Sequence, residues 1–342
     1  MRLVFALFGV AATVLLTVAM LFTAGWSHPP IVGTQIGFRG TGMDQVTTSA
    51  AVEQLEALNA MPDQIPKASP DGPRATDVYK NVQVLTDLSV DQFNTLMAAM
   101  TTWVAPQQGC AYCHNTENLA DDSVYAKKVA RRMIQMTRHI NQDWKPHVQT
   151  TGVVCYTCHR GNPVPTNIWY ENPGWPHAGG FSATNYGFGH PDAANGSTSL
   201  LQDPYSPFLD KDGNIRVQAV NALPAAGMGS SIQSTEDTYA LMMSISKGLG
   251  VNCTFCHNTR EFGQWSESTP QRVTAWHGIK MVRNLNTEYL DPLKDVFPAT
   301  RLGPLGDGPK VNCATCHQGA NKPLLGVSLA KDYPELGGSP SK

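Results

Sequence analysis

"CAYCHN", residues 110–115, places two cysteines three positions apart and a histidine directly after the second. "CYTCHR" at 155–160, "CTFCHN" at 253–258 and "CATCHQ" at 313–318 repeat that spacing. Two thiols at this interval can add to the two vinyl groups of a haem, and the adjoining imidazole then reaches the iron. C-x-x-C-H therefore reads as covalent haem c attachment. Zinc would need two further ligands at matched spacing, and a thioredoxin-like site would need a βαβ setting. The motifs use every cysteine in the chain, so none remains for a disulfide framework. The expected cofactors are four haem c groups. Their tethers are Cys110 and Cys113, Cys155 and Cys158, Cys253 and Cys256, and Cys313 and Cys316. His114, His159, His257 and His317 are the expected proximal iron ligands.

The flanks of the motifs repeat too. "LMAAMTTWVAPQQGCAYCHN" leads to "RRMIQMTRHIN" and then "CYTCHRG". "LMMSISKGLGVNCTFCHN" leads to "HGIKMVRNLN" and then "CATCHQG". Helix, motif, helix, motif, twice over, predicts a mainly α fold of two pseudo-symmetric haem-pair halves with extensive irregular loops. Ser89 and Gln92 form a capping box. Val90, Phe93, Leu96, Met97, Met100, Trp103 and Val104 follow at helical spacing, and Pro106 ends that helix. Its counterpart is expected from near Ser234 to Gly248 and Gly250, with two more helices through Met133 and Met136 and through Met281. Between the halves, residues 161–232 are rich in Pro, Gly, Asn and aromatics, with a hairpin expected at "LDKDGNIRV", 209–217. Asp210, Asp212 and Asn214 there mimic a calcium loop, but Ile215 and Asn221 stand where it needs glycine and glutamate.

The chain has 342 residues, a net charge of −2 and only 15% charged residues. That balance, with no basic run, excludes nucleic acid as the expected partner. Leu3–Phe22 carries no charge and is long enough, at about 30 Å, to span a bilayer. Arg2 precedes it and Trp26 follows it, which predicts an uncleaved single-pass anchor with the remainder in the periplasm. No cysteine precedes Cys110, so attachment through a lipidated N-terminal cysteine is not expected. The expected units are an anchor at 1–26, an N-terminal arm at 27–88, a first haem pair at 89–165, a connection at 166–232, and a second haem pair with C-terminal tail at 233–342.

Electron-transfer haems close the sixth iron position with Met or His, and catalytic haems leave it open. Met is also a common core filler. Aligning the repeats pairs Met97 with Met242 before the first and third motifs, and Met136 with Met281 on the other helices. Met133 pairs with Gly278. Met97 and Met242 are thus candidate ligands of the first and third haems. Met136 and Met281 recur as packing, and Met133 is the candidate for the second haem. The fourth haem then needs a ligand from among His28, His139, His147, His177, His190 and His277. His147 lies in the loop leading to Cys155.

These residues resemble the tetrahaem cytochrome subunit of purple bacterial photosynthetic reaction centres. The order of the four motifs carries the likeness, with "RRMIQMTRHIN", "GVVCYTCHRG", "AWHGIKMVRNLN" and the early "QIGFRGTGM". The resemblance implies His/Met ligation of three haems, by Met97 with His114, Met133 with His159, and Met242 with His257. It implies bis-His ligation of the fourth by His147 and His317. It further implies an electron-transfer subunit, not an enzyme, on the periplasmic face of the photosynthetic inner membrane. Such a subunit packs on reaction-centre core subunits, takes electrons from a soluble c-type cytochrome or high-potential iron–sulfur protein, and re-reduces the bacteriochlorophyll pair. The alternatives are a membrane-anchored tetrahaem quinol dehydrogenase and a multihaem reductase. The paired methionines argue against the first and filled sixth positions against the second.

Overall fold

A computed structural model describes residues 2–23, 31–36, 43–63, 65–173, 203–217 and 231–337. The described chain is mainly helical with little sheet. Helix α1 (Arg2–Thr23) precedes an antiparallel pair, β1 (Ile31–Ile36) and β2 (Met43–Thr48). Then follow α2 (Ser49–Leu58), α3 (Ala75–Val78), α4 (Val90–Val104), α5 (Tyr125–Asp143), α6 (Lys145–Val148) and α7 (Cys155–His159). After the connection come α8 (Ile232–Leu249), α9 (Pro270–Asn284) and α10 (Cys313–His317). The second and fourth motifs are thus short α-helices. The first and third begin in 3₁₀ turns, Gly109–Tyr112 and Cys253–Phe255.

Helix α1 is long and apolar enough to cross a membrane, and none of Val4–Thr23 is buried by the rest of the chain. Trp26, His28 and most of "QIGFRGTGM" lie outside the described residues, as do His177 and His190.

Helix α4 starts where its sequence dictates. Ser89 Oγ accepts from Gln92 N at 3.1 Å and Gln92 Oε1 accepts from Ser89 N at 3.2 Å. Leu96, Ala99 and Trp103 form its buried stripe. Helix α8 begins earlier than the expected Ser234, because Ser231 is its cap and Ser234 N donates to Ser231 Oγ at 3.0 Å. It ends at Gly250, whose φ of +64° suits a glycine after a helix. The expected hairpin at 209–217 is absent. Ser206–Asp210 forms a wide helical turn and 211–217 is irregular. The carbonyls of Phe208 and Leu209 are taken by Arg283 Nε at 2.9 Å and Asn286 Nδ2 at 2.8 Å, so they cannot serve a strand ladder.

Two apolar clusters form the core. One gathers Leu85, Leu88, Leu96, Trp103 and Ile134, with Leu324, Tyr333 and Leu336 from the C-terminal segment. The other gathers Leu241, Ile245, Ile279, Met281 and Val282, with Trp169, Phe208 and Leu209 from the connection. Tyr333 meets Trp103 edge-on at 4.6 Å.

Hydrogen bonds recur at equivalent places in the two repeats. Gly161 N donates to Trp103 O and Gly319 N to Gly248 O, each at 2.8 Å. Gly161 and Gly319 have φ of +78° and +82°, where glycine is favoured. Asn141 Nδ2 donates to Val153 O while its Oδ1 accepts from Val153 N. Asn286 treats Val311 in the same way. Each asparagine thereby fixes the backbone two residues before a motif's first cysteine.

The described part of the N-terminal arm lies along these motifs. Met43 N donates to Thr254 Oγ1 and Met43 O accepts from Asn252, both at 3.0 Å, so β2 abuts the third motif. After α2, Leu58 O and Ala60 O accept from Arg160 and Tyr156 of the second motif.

Candidate functional site

Helices α4, α5, α7, α9 and α10 enclose one connected cavity of about 1250 Å³. That exceeds the ~300–1,000 Å³ of a pocket for one drug-sized ligand. All the expected site residues line it except Met242, Cys253 and His257. Met242 packs against the second apolar cluster, and the Phe262 ring stacks on His257 with centres 5.3 Å apart. Met133 lines the cavity and belongs to neither cluster, whereas Met136 also packs on the second cluster.

The four motif histidines and His147 are held alike. Each puts Nδ1 against a backbone carbonyl. His114 faces Leu119 O at 3.0 Å, His159 faces Asn162 O at 2.8 Å, His257 faces Phe262 O at 3.0 Å and His317 faces Ala320 O at 2.9 Å. His147 faces Thr274 O at 2.9 Å. A carbonyl can only accept, so Nδ1 carries the proton and Nε2 keeps its lone pair, the state a metal ligand needs. His139 differs. Its Nδ1 meets Asp143 at 2.7 Å, and its Nε2 meets Asn284 Oδ1 at 2.8 Å and the Trp144 indole at 3.1 Å. Both its nitrogens are committed, so it is a structural histidine.

Electrostatics favour the neutral ring. Burial lowers the pKa of His147, His159 and His257. Burial, and then the neighbouring His147, push His317 down to about 4. The thiols shift the other way. Burial raises Cys113 and Cys256 to about 11, and Cys155 and Cys313 to about 12. Between the second and fourth motifs, the neighbouring Cys316 and burial together hold Cys158 well above the ordinary thiol range.

The structure brings His147 and His317 together, with ring centres 6.0 Å apart. Two imidazoles that held one metal ion from opposite sides, each nitrogen at about 2.0–2.1 Å, would have ring centres about 6 Å apart. Among the described residues, no three His, Cys, Asp or Glu side chains converge as a self-contained metal cage.

A family profile described as "Photosynthetic reaction centre cytochrome C subunit" matches residues 27–337. The chain belongs to this family. It is 49% identical over 329 residues to the photosynthetic reaction center cytochrome c subunit of Rubrivivax gelatinosus, covering 96% of this chain and 89% of that protein. It is 48% identical over 321 residues to the protein of the same name from Thermochromatium tepidum, covering 94% and 79% of the two chains. The like-named protein of Roseobacter denitrificans is 42% identical over 318 residues, covering 88% and 84%.

For a member of this family, the donor set fits a covalently held haem. Paired thiols stand beside imidazoles already in the ligating tautomer. The residues that sequence reasoning passed over are the ones that hold this set in place. Asn141 and Asn286 were visible in "RHIN" and "RNLN", the same residue at the same place in both repeats. Lys127 carried no such signal. It is 8% exposed, and its ammonium takes Leu119 O, the carbonyl that orients His114, at 2.9 Å.

Proposed function

We propose that this chain is an electron-transfer subunit which carries four haem c groups and re-reduces the photo-oxidised bacteriochlorophyll pair of a photosynthetic reaction centre. One observation carries the reading beyond the family. Five histidines, four in motifs and one outside, share a tautomer-fixing bond, and four of the five open on one cavity. Haem c supplies a one-electron iron couple there. The chain's own work is to tether, ligate and space. Cys110 and Cys113, Cys155 and Cys158, Cys253 and Cys256, and Cys313 and Cys316 are the tethers. The residues that would hold the four irons are His114 with Met97, His159 with Met133, His257 with Met242, and His317 with His147.

The packing supports an order for the sites. Helix α4, which carries Met97, packs on α7, the second motif. The second and fourth motifs meet at Cys158 and Cys316. Helix α8, which carries Met242, packs on α10. The third motif receives β2, on the side of the chain that leads from the anchor helix. The row therefore runs first, second, fourth, third, with the third nearest the membrane. We assign the haem-bearing part to the periplasm, α1 to a single span of the inner membrane, 89–165 and 233–342 to two haem-pair halves, and part of 27–88 to contact with the core subunits. A soluble c-type cytochrome or high-potential iron–sulfur protein is the donor. The quinol dehydrogenase alternative finds no support in the family match.

The test is flash spectroscopy on the purified complex. After a flash, bleaching of the bacteriochlorophyll pair should recover as haem absorbance is lost, in equal electron numbers. Recovery with no haem oxidation would refute the assignment.

A further inference from the structure

We propose that Gly278 selects imidazole over thioether as sixth ligand of the fourth site, by leaving the space that His147 fills. The inference rests on the assignment of His147 and His317 to one haem made above.

Gly278 is buried in the middle of α9. A β-carbon built there would lie 2.6 Å from Cε1 and 2.8 Å from Nδ1 of His147. Carbon atoms in good contact stand about 3.5–4.0 Å apart, so any side chain at this place collides with the ring. Thr274, one turn earlier, offers its carbonyl to Nδ1 at 2.9 Å. The helix thus gives the ring a bare surface to lie on and an acceptor that fixes its tautomer. Glycine is among the poorest residues for a helix interior. A glycine buried there is explained by close approach.

The equivalent place on α5 is held by Met133. This register rests on contacts as well as spacing. Asn141 and Asn286, eight residues beyond Met133 and Gly278, clamp the segments before the second and fourth motifs with matching bonds. Ile134 and Ile279, the next residues, are both buried, at 3% and 5% exposure. Arg138 and Arg283 likewise reach carbonyls upstream of their helices, those of Val84 and Phe208. Met133 lines the cavity. One helix therefore carries its own ligand. The other carries a gap through which a ligand from α6 enters.

The test uses the haem-loaded protein in its complex, with Gly278→Met, His147→Ala and the double variant. In Gly278→Met, one more haem should show the near-infrared sulfur-to-iron charge-transfer band, and the lowest of the midpoint potentials should be lost. His147→Ala should leave one haem that binds carbon monoxide. Adding Gly278→Met to it should abolish that binding and give a sulfur-ligated haem instead. The double variant contains no clash, so it keeps the test open where the single one fails to assemble. Retention of a bis-imidazole haem in Gly278→Met would overturn the inference. So would carbon monoxide binding that persists in the double variant. If the unaltered protein shows no bis-imidazole haem, the His147–His317 assignment fails, a different result.

Discussion

Replacing Asn286 with alanine removes three hydrogen bonds at once. Its Nδ2 donates to Leu209 O at 2.8 Å and Val311 O at 3.0 Å, and its Oδ1 accepts from Val311 N at 2.9 Å. The residue is 0% exposed. At about 1 kcal/mol net per bond, the direct loss is about 3 kcal/mol. The partners are backbone groups in the interior, and any one left unpaired costs about 1–3 kcal/mol in place of that 1. Water entering the gap left by the amide offsets part of it. The expected cost is about 3–5 kcal/mol, at the top of the range for single substitutions. Denaturant unfolding of the haem-loaded protein, followed by Soret absorbance and far-ultraviolet dichroism, measures it as a lowered midpoint at unchanged slope. Asn141→Ala breaks the matching set, to Val153 O, Val153 N and Leu336 O, and should cost a similar amount. A loss below about 1 kcal/mol in Asn286→Ala would refute the claim that this clamp holds the fourth motif in register. A large effect in one half and none in the other would refute the equivalence of the two clamps.

Met133→His should keep the second haem six-coordinate and lower one midpoint potential by on the order of 0.1 V, since imidazole replaces thioether. Met136→Leu, a packing swap of similar volume, should cost under about 1.5 kcal/mol and leave all potentials in place. The reverse pair of results in a redox titration would sink the choice between the two methionines. His147→Met should raise the lowest potential, and an unchanged lowest potential would argue against His147 as a ligand. Asp122 is held well below the ordinary carboxylate pKa, first by its bond to Arg131 and then by Lys127 and Asn81. A depressed folded pKa gives stability that is complete above the unfolded value near 3.9 and is lost as pH falls below it. Asp122→Asn should therefore lower the unfolding midpoint at pH 7 more than at pH 3, and an equal loss at both would contradict this.

Much of the site was legible because covalent chemistry writes itself into spacing. Four C-x-x-C-H units, and helices at 3.6-residue period before each, need no long-range information. The capping box at Ser89 is equally local. The β1–β2 pair was not foreseen, because "IVGTQI" and "MDQVTT" lack clean alternation and the contact of Met43 with Asn252 and Thr254 is long-range. The hairpin expected at 209–217 failed for a related reason. Its residues have turn chemistry, but the carbonyls of Phe208 and Leu209, where its first strand would start, are claimed by side chains more than seventy residues away. The C-terminal segment's place beside Trp103 is a contact of the same kind. His147 is the informative case. Its residues alone left it one histidine among several, and resemblance singled it out. What sets it apart physically, a bare turn of α9 beneath its ring, depends on a residue whose only signal is the absence of a side chain.

The meeting of Cys158 with Cys316 bears on how the protein is made. These two thiols act on each other's titration, although they belong to different motifs and lie far apart in sequence. Were such a pair to oxidise to a disulfide before haem is attached, that crosslink would leave both motifs with one sulfur each. A chain that folded before receiving its haems would be open to that trap. Attaching haem to one of the two motifs before they meet, or keeping these thiols reduced until then, avoids it. The order of biosynthesis favours the first route, since Cys155 and Cys158 emerge more than 150 residues before Cys316.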